Sequence, residues 1–256
     1  MFKTLTTVKD IAIGLSPWVP WDKDFGLDSI TEQDLTAAIA KGVPGAHVLR
    51  IGLDRDRGTT DRARLELEWN DAGKEAGLPT KAFAKGTASM AQSRLLNSAF
   101  GLCATEVSFY NNAYHDLAGI TLRPYYAKVA PGGRFLLVLE SKDENTHFYT
   151  PDGEASLQHA EAIIDALAEM HGRFYKSPRF QTDLSWVTTY RGRPGQVLAP
   201  RVILLAEKRF MKHFDVPEPV RRLTRFHLAN REAFWRIWEA MPPTLCHGDT
   251  HIGNTF

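Results

Sequence analysis

The chain has 256 residues, of which 43% are hydrophobic and 24% are charged, a composition typical of a globular protein long enough for two lobes. Its 31 basic and 30 acidic side chains give a formal net charge of +1, so we expect no electrostatic attraction to nucleic acid or to a membrane surface. The N-terminus shows no signal-peptide pattern, no apolar run can span a bilayer, and the two cysteines have no paired spacing. These features predict a reduced, cytoplasmic protein.

The first 140 residues contain patterns typical of a small α+β unit. A helix-capping signal at 29–34 precedes apolar residues at helical spacing, and later segments alternate apolar and polar side chains as half-buried strands do. The predicted elements, in chain order, are a short helix ending at Gly42, strands at 46–53, 62–69 and 80–85, a helix at 89–112, and strands at 122–129 and 134–139. Gly101 weakens the long helix without ending it. We therefore expect an antiparallel sheet with one helix inserted before its last two strands.

A linker and a helical region are predicted for the rest of the chain. The linker is 141–154, a polar segment that contains Pro151 and Gly153. Apolar residues then recur at intervals of three and four, which predicts helices at 155–175, 201–209 and 217–240. The apolar residues of the last helix are expected to face a core; they are Leu223, Phe226, Leu228, Phe234, Ile237 and Trp238.

The most chemically specific segment is the loop that follows a short strand at 244–246. A tight, glycine-containing turn there brings His247, Asp249 and Asn254 into one small space. A carboxylate can orient an attacking hydroxyl and accept its proton, and an amide oxygen five positions further on can bind Mg²⁺ held on nucleotide phosphates. We therefore predict that Asp249 is a catalytic base and Asn254 a metal ligand in phosphoryl transfer.

Metal-dependent phosphoester hydrolysis is an alternative for the same loop, because Asp249-x-His251 also occurs in metallophosphoesterases. Two-metal sites need several further carboxylates and histidines placed after successive strands. The histidines in the N-terminal two thirds of the chain show no short metal-ligand spacing. This alternative stays open behind phosphoryl transfer.

The sequence of 247–254, His-Gly-Asp-Thr-His-Ile-Gly-Asn, resembles the catalytic loop of the aminoglycoside and choline phosphotransferases, and most of all that of their ecdysteroid-kinase-like branch. These enzymes are small-molecule relatives of the protein kinases, whose catalytic loop has the same spacing from Asp to Asn. The resemblance implies an α+β, protein-kinase-like fold with two lobes. Residues 1–140 would be the nucleotide-binding lobe with an antiparallel sheet and a helix, 141–154 the hinge, and 155–256 an incomplete, mainly helical catalytic lobe.

The resemblance also implies ATP-dependent phosphorylation of a hydroxyl group on a small molecule, with ATP and Mg²⁺ as cofactors. The acceptor stays open: an aminoglycoside favours an acidic pocket, choline an aromatic cage, and a sterol-like alcohol an apolar slot. A nucleotide-binding or interaction module without catalysis is the second hypothesis.

Kinases of this type hold the nucleotide phosphates with a lysine on the third strand and fix that lysine with a glutamate from the following helix. The segment 82–85 ends the third predicted strand with Lys85, in the apolar-apolar-apolar-Lys pattern of the kinases. Glu106 lies in the next predicted helix and precedes Phe109-Tyr110, as the family's glutamate commonly does. Lys81, four positions earlier, is the rival lysine.

The remaining nucleotide contacts match the family less closely. The predicted turn between the first two strands contains Gly52 and Gly58, which we assign to phosphate cover although the segment is not Gly-x-Gly-x-x-Gly. Arg62 either assists phosphate binding or lies on the solvent face. The strand that ends at Glu140 is expected to lead into the hinge and to contact adenine. His171 is expected to support the catalytic loop rather than to take part in catalysis.

The family also uses a second metal-binding aspartate, in a strand-turn segment after the catalytic loop. The sequence contains no residue for it after Asn254, so we expect an incomplete metal site and a weakly active or inactive copy of the enzyme. We also expect an exposed apolar surface on the helical lobe.

Overall fold

In the computed structural model, the described residues are 2–16, 19, 22–57, 60–142, 146, 153–193, 195 and 199–255. The chain divides into two compact units. The first contains Met1–Leu167 together with His247–Phe256, and the second contains Ala168–Cys246. The predicted α+β class is confirmed, because the described residues form an antiparallel sheet and a larger number of helices.

The sheet belongs to the first unit, and its described strands follow the predicted order along the chain. They are β1 Val48–Arg57, β2 Asp61–Trp69, β3 Lys81–Gly86, β4 Pro124–Ala130 and β5 Arg134–Glu140. Within the sheet the order is β1-β2-β3-β5-β4, and each neighbouring pair is antiparallel. The prediction of five strands with a helical region between the third and fourth is therefore confirmed.

The described helices flank the sheet in the first unit and make up most of the second. They are α1 Phe2–Leu15, α2 Glu32–Ile39, α3 Asp71–Glu75, α4 Ala91–Phe100, α5 Leu102–Asn112, α6 Leu157–Phe174, α7 Ala199–His213, α8 Glu218–Ala229 and α9 Arg231–Glu239. Among the described residues, none of these helices is long and apolar enough to cross a membrane.

A different hydrophobic cluster covers each face of the sheet. Successive side chains of a strand point to opposite faces. Ala82 and Ala84 of β3 lie in the larger cluster, which also contains residues of α2, β1 and β2. Phe83 and Lys85 therefore project from the other face, where the second cluster joins α5 to β5 through Cys103, Val107, Phe135, Leu137 and Leu139. This alternation points the Lys85 side chain towards α5.

The predicted capping signal begins α2. The Thr31 hydroxyl accepts a hydrogen bond from the Asp34 N–H at 3.1 Å, which satisfies one of the free N–H groups of the first turn. Leu35 and Ile39 are buried on the inner side of this helix. The sequence therefore located this helix by its cap and its apolar spacing.

The prediction of one continuous helix at 89–112 is wrong. Gly101 has φ +63°, a left-handed conformation in which its N–H bonds to the Asn97 carbonyl, and it ends α4 and begins α5. Because glycine adopts this conformation without a Cβ clash, the residue that we expected only to weaken the helix divides it. Helix α5, which carries Glu106, therefore begins as a separate helix after this break.

The predicted turn at 54–60 is also too long. Residues 54–57 belong to β1, so the hairpin extends to the pair Arg57 and Asp61. Opposite charges face each other across this extension: Arg64 lies 3.9 Å from Asp54, and Arg62 forms an ion pair with Asp56. Cross-strand pairs of opposite charge stabilise a hairpin, so these charged residues continue the two strands beyond the predicted ends.

Helix α1 was not predicted, and it is bound to the turn between β4 and β5. The guanidinium of Arg134 is fully buried and donates hydrogen bonds to the carbonyl oxygens of Ile13 and Ser16, each at 2.7 Å. The Asp10 carboxylate accepts from the Gly132 N–H at 2.7 Å. Since both anchors are contacts across more than 100 residues, no local pattern could have revealed them.

The second unit contains the predicted helices at 201–209 and 217–240, with one correction. The segment expected to form one helix at 217–240 is two helices, α8 and α9, separated at Asn230. The expectation that its apolar residues lie in a core is also wrong. Leu223 is 66% exposed, Ile237 62% and Trp238 69%. An exposed apolar surface is therefore present on these helices, and within this unit no described residue covers it.

Candidate active site

Lys85 and Glu106 form an ion pair on the α5 face of the sheet. The Lys85 Nζ lies 2.7 Å from Oε1 of Glu106, and the two side chains are 29% and 30% exposed. The pair is thus accessible from one side and covered on the other. An ammonium group held in this way by a carboxylate is oriented for binding a phosphate oxygen. The predicted lysine and glutamate are therefore in contact, as the sequence analysis expected.

The environment of this pair is apolar on the protein side. Burial raises the pKa of the Cys103 thiol well above its ordinary value, and the nearby Glu106 carboxylate raises it further. The same two causes raise the pKa of the Tyr110 hydroxyl. Both groups stay protonated at neutral pH, so they add no charge beside the ion pair. Electrostatic interactions are stronger in such a desolvated place than in water.

Lys81, the rival lysine, lies at the other end of β3. In the register of the sheet it is opposite Glu66, whereas Lys85 is opposite Arg62. The hydrogen bond to Glu106 is made by Lys85. Four residues along a strand span roughly 13 Å, so the two lysines lie at different places on the sheet.

The loop that contains Asp249 is a compact turn stabilised by its own hydrogen bonds. Gly248 has φ +81°, a conformation that residues with a Cβ rarely adopt, and this sharp bend follows His247 directly. The Asp249 carbonyl accepts from the His251 N–H at 3.0 Å and from the Asn254 side-chain amide at 2.9 Å. A short 3₁₀ helix at Ile252–Asn254 then closes the turn.

Within this loop, Asp249 and Asn254 are in direct contact, as predicted from their spacing. The Asn254 Nδ2 donates to the Asp249 Oδ2 at 3.1 Å, and the carboxylate is 75% exposed. On the other side, His251 Nε2 is 3.8 Å from the same Oδ2. The Gly253 N–H donates to Nδ1 of His251, so Nε2 carries the proton of the neutral ring. The carboxylate is thus held by the hydrogen bond from Asn254 and is open to a substrate.

His247 connects the loop to the ion pair through electrostatics. Its Nδ1 accepts a hydrogen bond from the Asp249 N–H at 3.2 Å. Loss of hydration lowers the pKa of His247, the carboxylates of Asp249 and Glu106 oppose this shift, and the Lys85 ammonium adds to it. The loop and the Lys85–Glu106 pair belong to the same compact unit.

His159 is a residue of the site that the sequence analysis missed. Its Nε2 lies 3.2 Å from the hydroxyl of Thr255, directly after the catalytic-loop motif. The Thr255 hydroxyl donates its proton to the Ile252 carbonyl at 3.1 Å, so His159 must be the donor in its contact with Thr255. This contact attaches the end of the loop to α6. The sequence around His159 shows no pattern that would have predicted this contact.

His171, which the sequence analysis assigned to support of the loop, contributes its backbone. Its carbonyl accepts a hydrogen bond from the Thr244 hydroxyl at 2.6 Å, within the second unit. The nearby Lys176 N–H donates to the Pro243 carbonyl at 2.8 Å. These two bonds fix the segment that precedes Leu245, which is buried.

The other predicted nucleotide contacts are placed as follows. Gly52 lies within β1 opposite Glu66, four residues along the strand from the pair of Asp56 and Arg62. Gly58 lies outside the described residues. Glu140 ends β5, where its N–H donates to the Arg123 carbonyl and its carboxylate accepts from the Arg123 N–H, both at 2.8 Å. The structure thus does not place Gly52 or Glu140 beside the Lys85–Glu106 pair.

The described residues do not supply a complete Mg²⁺ site. Mg²⁺ usually binds one or two protein carboxylates together with phosphate oxygens. No group of three or more His, Cys, Asp or Glu side chains in the described part of the chain is arranged to hold a metal ion. The oxygen donors at the loop are the Asn254 amide and the Asp249 carboxylate, whose Oδ2 already accepts from Asn254. A resident Mg²⁺ therefore does not fit these residues alone, and the predicted role of Asn254 as a ligand stays a prediction.

In comparisons with known proteins, the chain matches no protein-family model, no curated protein and no solved structure. The resemblance of the catalytic loop therefore stays a prediction. Functional assignment depends on the chemistry of the residues that the fold brings together, namely the Lys85–Glu106 pair and the Asp249 loop.

Proposed function

We propose that this protein is an ATP-dependent phosphotransferase that phosphorylates a hydroxyl group of a small molecule, on a protein-kinase-like, two-lobed fold. One observation carries the proposal. The Lys85–Glu106 ion pair, on the third strand and the helical region after it, lies in one compact unit with the Asp249–Asn254 loop. A phosphate-binding cation and a general base are the two protein groups that phosphoryl transfer requires most directly.

Lys85 is the proposed phosphate-binding residue. Its ammonium would neutralise negative charge on the nucleotide phosphates, which increases as the phosphoryl group is transferred. Glu106 positions this ammonium and, because the pair is only partly exposed, restricts its rotamers. The apolar surroundings supplied by Cys103 and Tyr110 strengthen the interaction with phosphate.

Asp249 is the proposed general base. Its exposed carboxylate can accept a hydrogen bond from an acceptor hydroxyl and take its proton during transfer. Asn254 donates to Oδ2 and so leaves Oδ1 as the oxygen that faces the substrate. Gly248 makes the bend that projects the carboxylate from the loop.

ATP is the proposed phosphoryl donor, and we assign no step to Mg²⁺ because the described donors do not complete a site for it. The proposal includes a cytoplasmic location, where ATP is available, and a small hydroxylated molecule as the acceptor. Neither nucleic acid nor a membrane is proposed as a partner.

A nucleotide-binding module without catalysis is the second candidate function. The incomplete set of metal donors favours it, since most phosphoryl-transfer enzymes neutralise the transferred group with a bound cation. In this case the Lys85–Glu106 pair would still bind phosphate, but the Asp249 loop would have no catalytic role.

Nucleotide binding and turnover, measured separately, distinguish the two functions. ATP binding is measured by isothermal titration calorimetry with 5 mM Mg²⁺ at a standard ~0.15 M ionic strength. Turnover is measured as transfer of radiolabelled γ-phosphate to an aminoglycoside, to choline and to a sterol alcohol. We expect ATP binding and transfer to at least one of these acceptors, and loss of transfer in Asp249→Ala.

Two results would contradict the phosphotransferase. The first is ATP binding without transfer to any acceptor, which is the outcome that supports the binding module. The second is transfer that Asp249→Ala leaves unchanged. Phosphate release from a generic phosphoester without nucleotide would instead support the phosphoesterase alternative.

A further inference from the structure

Arg62 and Lys85 are opposite each other on neighbouring strands. In the register of β2 and β3, Arg62 pairs with Lys85, and in that of β1 and β2, Arg62 pairs with Asp56. Residues that are opposite each other in antiparallel strands project from the same face, with Cβ atoms about 5 Å apart. Asp56, Arg62 and Lys85 therefore form one row across the face that also carries Glu106, which bonds to Lys85.

The charges in this row have an unusual order. Two cations, Arg62 and Lys85, are adjacent in the middle, and a carboxylate lies at each outer end. Like charges directly opposite each other destabilise a sheet. Each cation here is paired outward, Arg62 with Asp56 and Lys85 with Glu106. The row thus places two positive side chains next to each other on neighbouring strands.

Arg62 also has hydrogen-bonding capacity that the protein does not use. Its Nε is buried and has no hydrogen-bond partner among the residues that the structure describes, although its side chain as a whole is 39% exposed. A buried donor without a partner is costly, and proteins rarely retain one without a reason. The ion pair with Asp56 uses the Nη2 end of the guanidinium. A ligand oxygen that reaches both Nε and Nη2 would satisfy the guanidinium in a bidentate way, as phosphates do.

We propose that Arg62 is a second phosphate-binding cation, which exchanges Asp56 for a phosphate, so that the site selects ligands with two or more linked phosphates. The inference rests on the proposed function, because it places the phosphates at Lys85. A single phosphate can be neutralised by Lys85 alone. A chain of phosphates can contact both cations at once, and Asp56 then acts as an internal competitor for Arg62.

The test measures binding of inorganic phosphate and of inorganic tripolyphosphate by titration calorimetry, with ATP and AMP as the matching nucleotides. The wild-type protein is expected to bind tripolyphosphate and ATP at least about 10-fold more tightly than phosphate and AMP. Arg62→Gln should weaken tripolyphosphate and ATP binding by about 10-fold and leave AMP binding within about twofold. Asp56→Asn should tighten tripolyphosphate binding by about threefold or more, since it releases Arg62.

The neighbouring pair, Asp54 and Arg64, is a matched control. It has the same residue types on the same strands and the same face, but Arg64 is opposite Phe83 rather than Lys85. Arg64→Gln and Asp54→Asn should change tripolyphosphate binding by less than about twofold, at an ionic strength of about 0.15 M that screens distant charges. The double variant Asp56→Asn/Arg62→Gln should bind as weakly as Arg62→Gln, because Asp56 acts through Arg62.

The outcomes separate this inference from the proposed function. Equal weakening by Arg62→Gln and Arg64→Gln, or no effect of Arg62→Gln on a wild-type protein that binds ATP, overturns the inference alone. A wild-type protein that binds neither ATP nor tripolyphosphate overturns both. Arg62-dependent tripolyphosphate binding without any phosphoryl transfer supports the inference and contradicts the phosphotransferase. Thermal unfolding of each variant shows whether a loss of binding reflects a loss of fold.

Discussion

His159 and Thr255 are joined by a hydrogen bond of 3.2 Å although 96 residues separate them in the sequence. His159 is on α6, and Thr255 directly follows Asn254 of the proposed catalytic loop. The contact fixes the far end of a loop whose other bonds are local. We therefore expect it to influence the orientation of the Asp249 carboxylate.

Replacing His159 by Phe should increase the mobility of the loop without unfolding the protein. The amides of His251 and Asn254, which donate within the loop, are expected to exchange with deuterium about fivefold faster, as the loss of one hydrogen bond worth about 1 kcal/mol implies. Thr255→Val should have the same effect, and Thr255→Ser, which keeps the hydroxyl, should not. Unchanged exchange in both His159→Phe and Thr255→Val would show that the contact does not order the loop.

Much of the first unit followed from local sequence patterns. The Thr31 cap and the alternation in β2 are local signals, and they located a helix and a strand within a few residues of their ends. The contact of Lys85 with Glu106 was also predicted, but from the resemblance to kinases rather than from periodicity. Such signals succeed where each residue's environment is determined by neighbours in the sequence.

The errors occurred where contacts between distant segments decide the conformation. The anchors of α1 at Arg134 are of this kind, and so is the bond of His159 to Thr255. Gly101 shows a second source of error. Glycine occurs both inside helices and at helix ends, so its presence alone does not predict a break. The packing of α4 and α5 decides that Gly101 ends a helix here. For Trp238, the apolar spacing predicted a buried face, but the residue is 69% exposed, because a pattern does not supply the covering surface.

Lys85→Met should weaken ATP binding by about 100-fold, because it removes a charged hydrogen bond to phosphate from a partly desolvated place. Glu106→Gln should weaken it by about 10-fold, since the lysine stays but is less well oriented. Titration calorimetry with ATP measures both effects. The two residues act as one unit, so the double variant should bind no more weakly than Lys85→Met. Additive losses would show that Glu106 does not act through Lys85.

Asp249→Asn should reduce phosphoryl transfer by about 1,000-fold and leave ATP affinity within about twofold, because the amide cannot accept the proton of the acceptor hydroxyl. The carboxylate is 75% exposed, so the substitution should have little effect on the thermal midpoint. Asp71→Asn is the control, since Asp71 is also exposed and pairs with Lys74 at 3.7 Å within α3. A loss of transfer shared by both variants would remove the case for Asp249 as the base.

Gly101→Ala should lower the free energy of unfolding by about 1–2 kcal/mol, because a Cβ clashes with the backbone at φ +63°. Gly119→Ala is a matched control: a Cβ at Gly119 would meet no atom within 4 Å, and its φ lies outside the left-handed region. Urea denaturation of both variants measures the difference. An equal free energy of unfolding for the two variants would mean that residue 101 can adopt a helical conformation in solution.

The pKa of His247 reports whether the proposed catalytic loop lies close to the Lys85–Glu106 pair. Loss of hydration lowers this pKa, Glu106 opposes the shift and Lys85 adds to it. Glu106→Gln should therefore lower the pKa further, whereas Lys85→Met should raise it. Lys74→Gln, which changes an exposed charge elsewhere in the unit, should leave it unchanged. Titration of the imidazole followed by NMR measures these shifts, and the opposite signs distinguish proximity from a general change in hydration.

The same shift has a consequence for stability. Because the pKa of His247 is lower in the folded protein than in the unfolded chain, the unfolded chain binds the proton first as pH falls. The contribution of His247 to stability is thus fully present above the unfolded value of about 6.5 and decreases as pH falls through the folded value. His247→Asn keeps an acceptor for the Asp249 N–H but does not titrate. Urea denaturation at about pH 7.5 and about pH 5.0 measures the free energy of unfolding above and below the unfolded pKa. Between these two pH values, the wild-type protein should lose more stability than His247→Asn. An equal loss in both proteins would mean that His247 is as hydrated in the folded loop as in the unfolded chain.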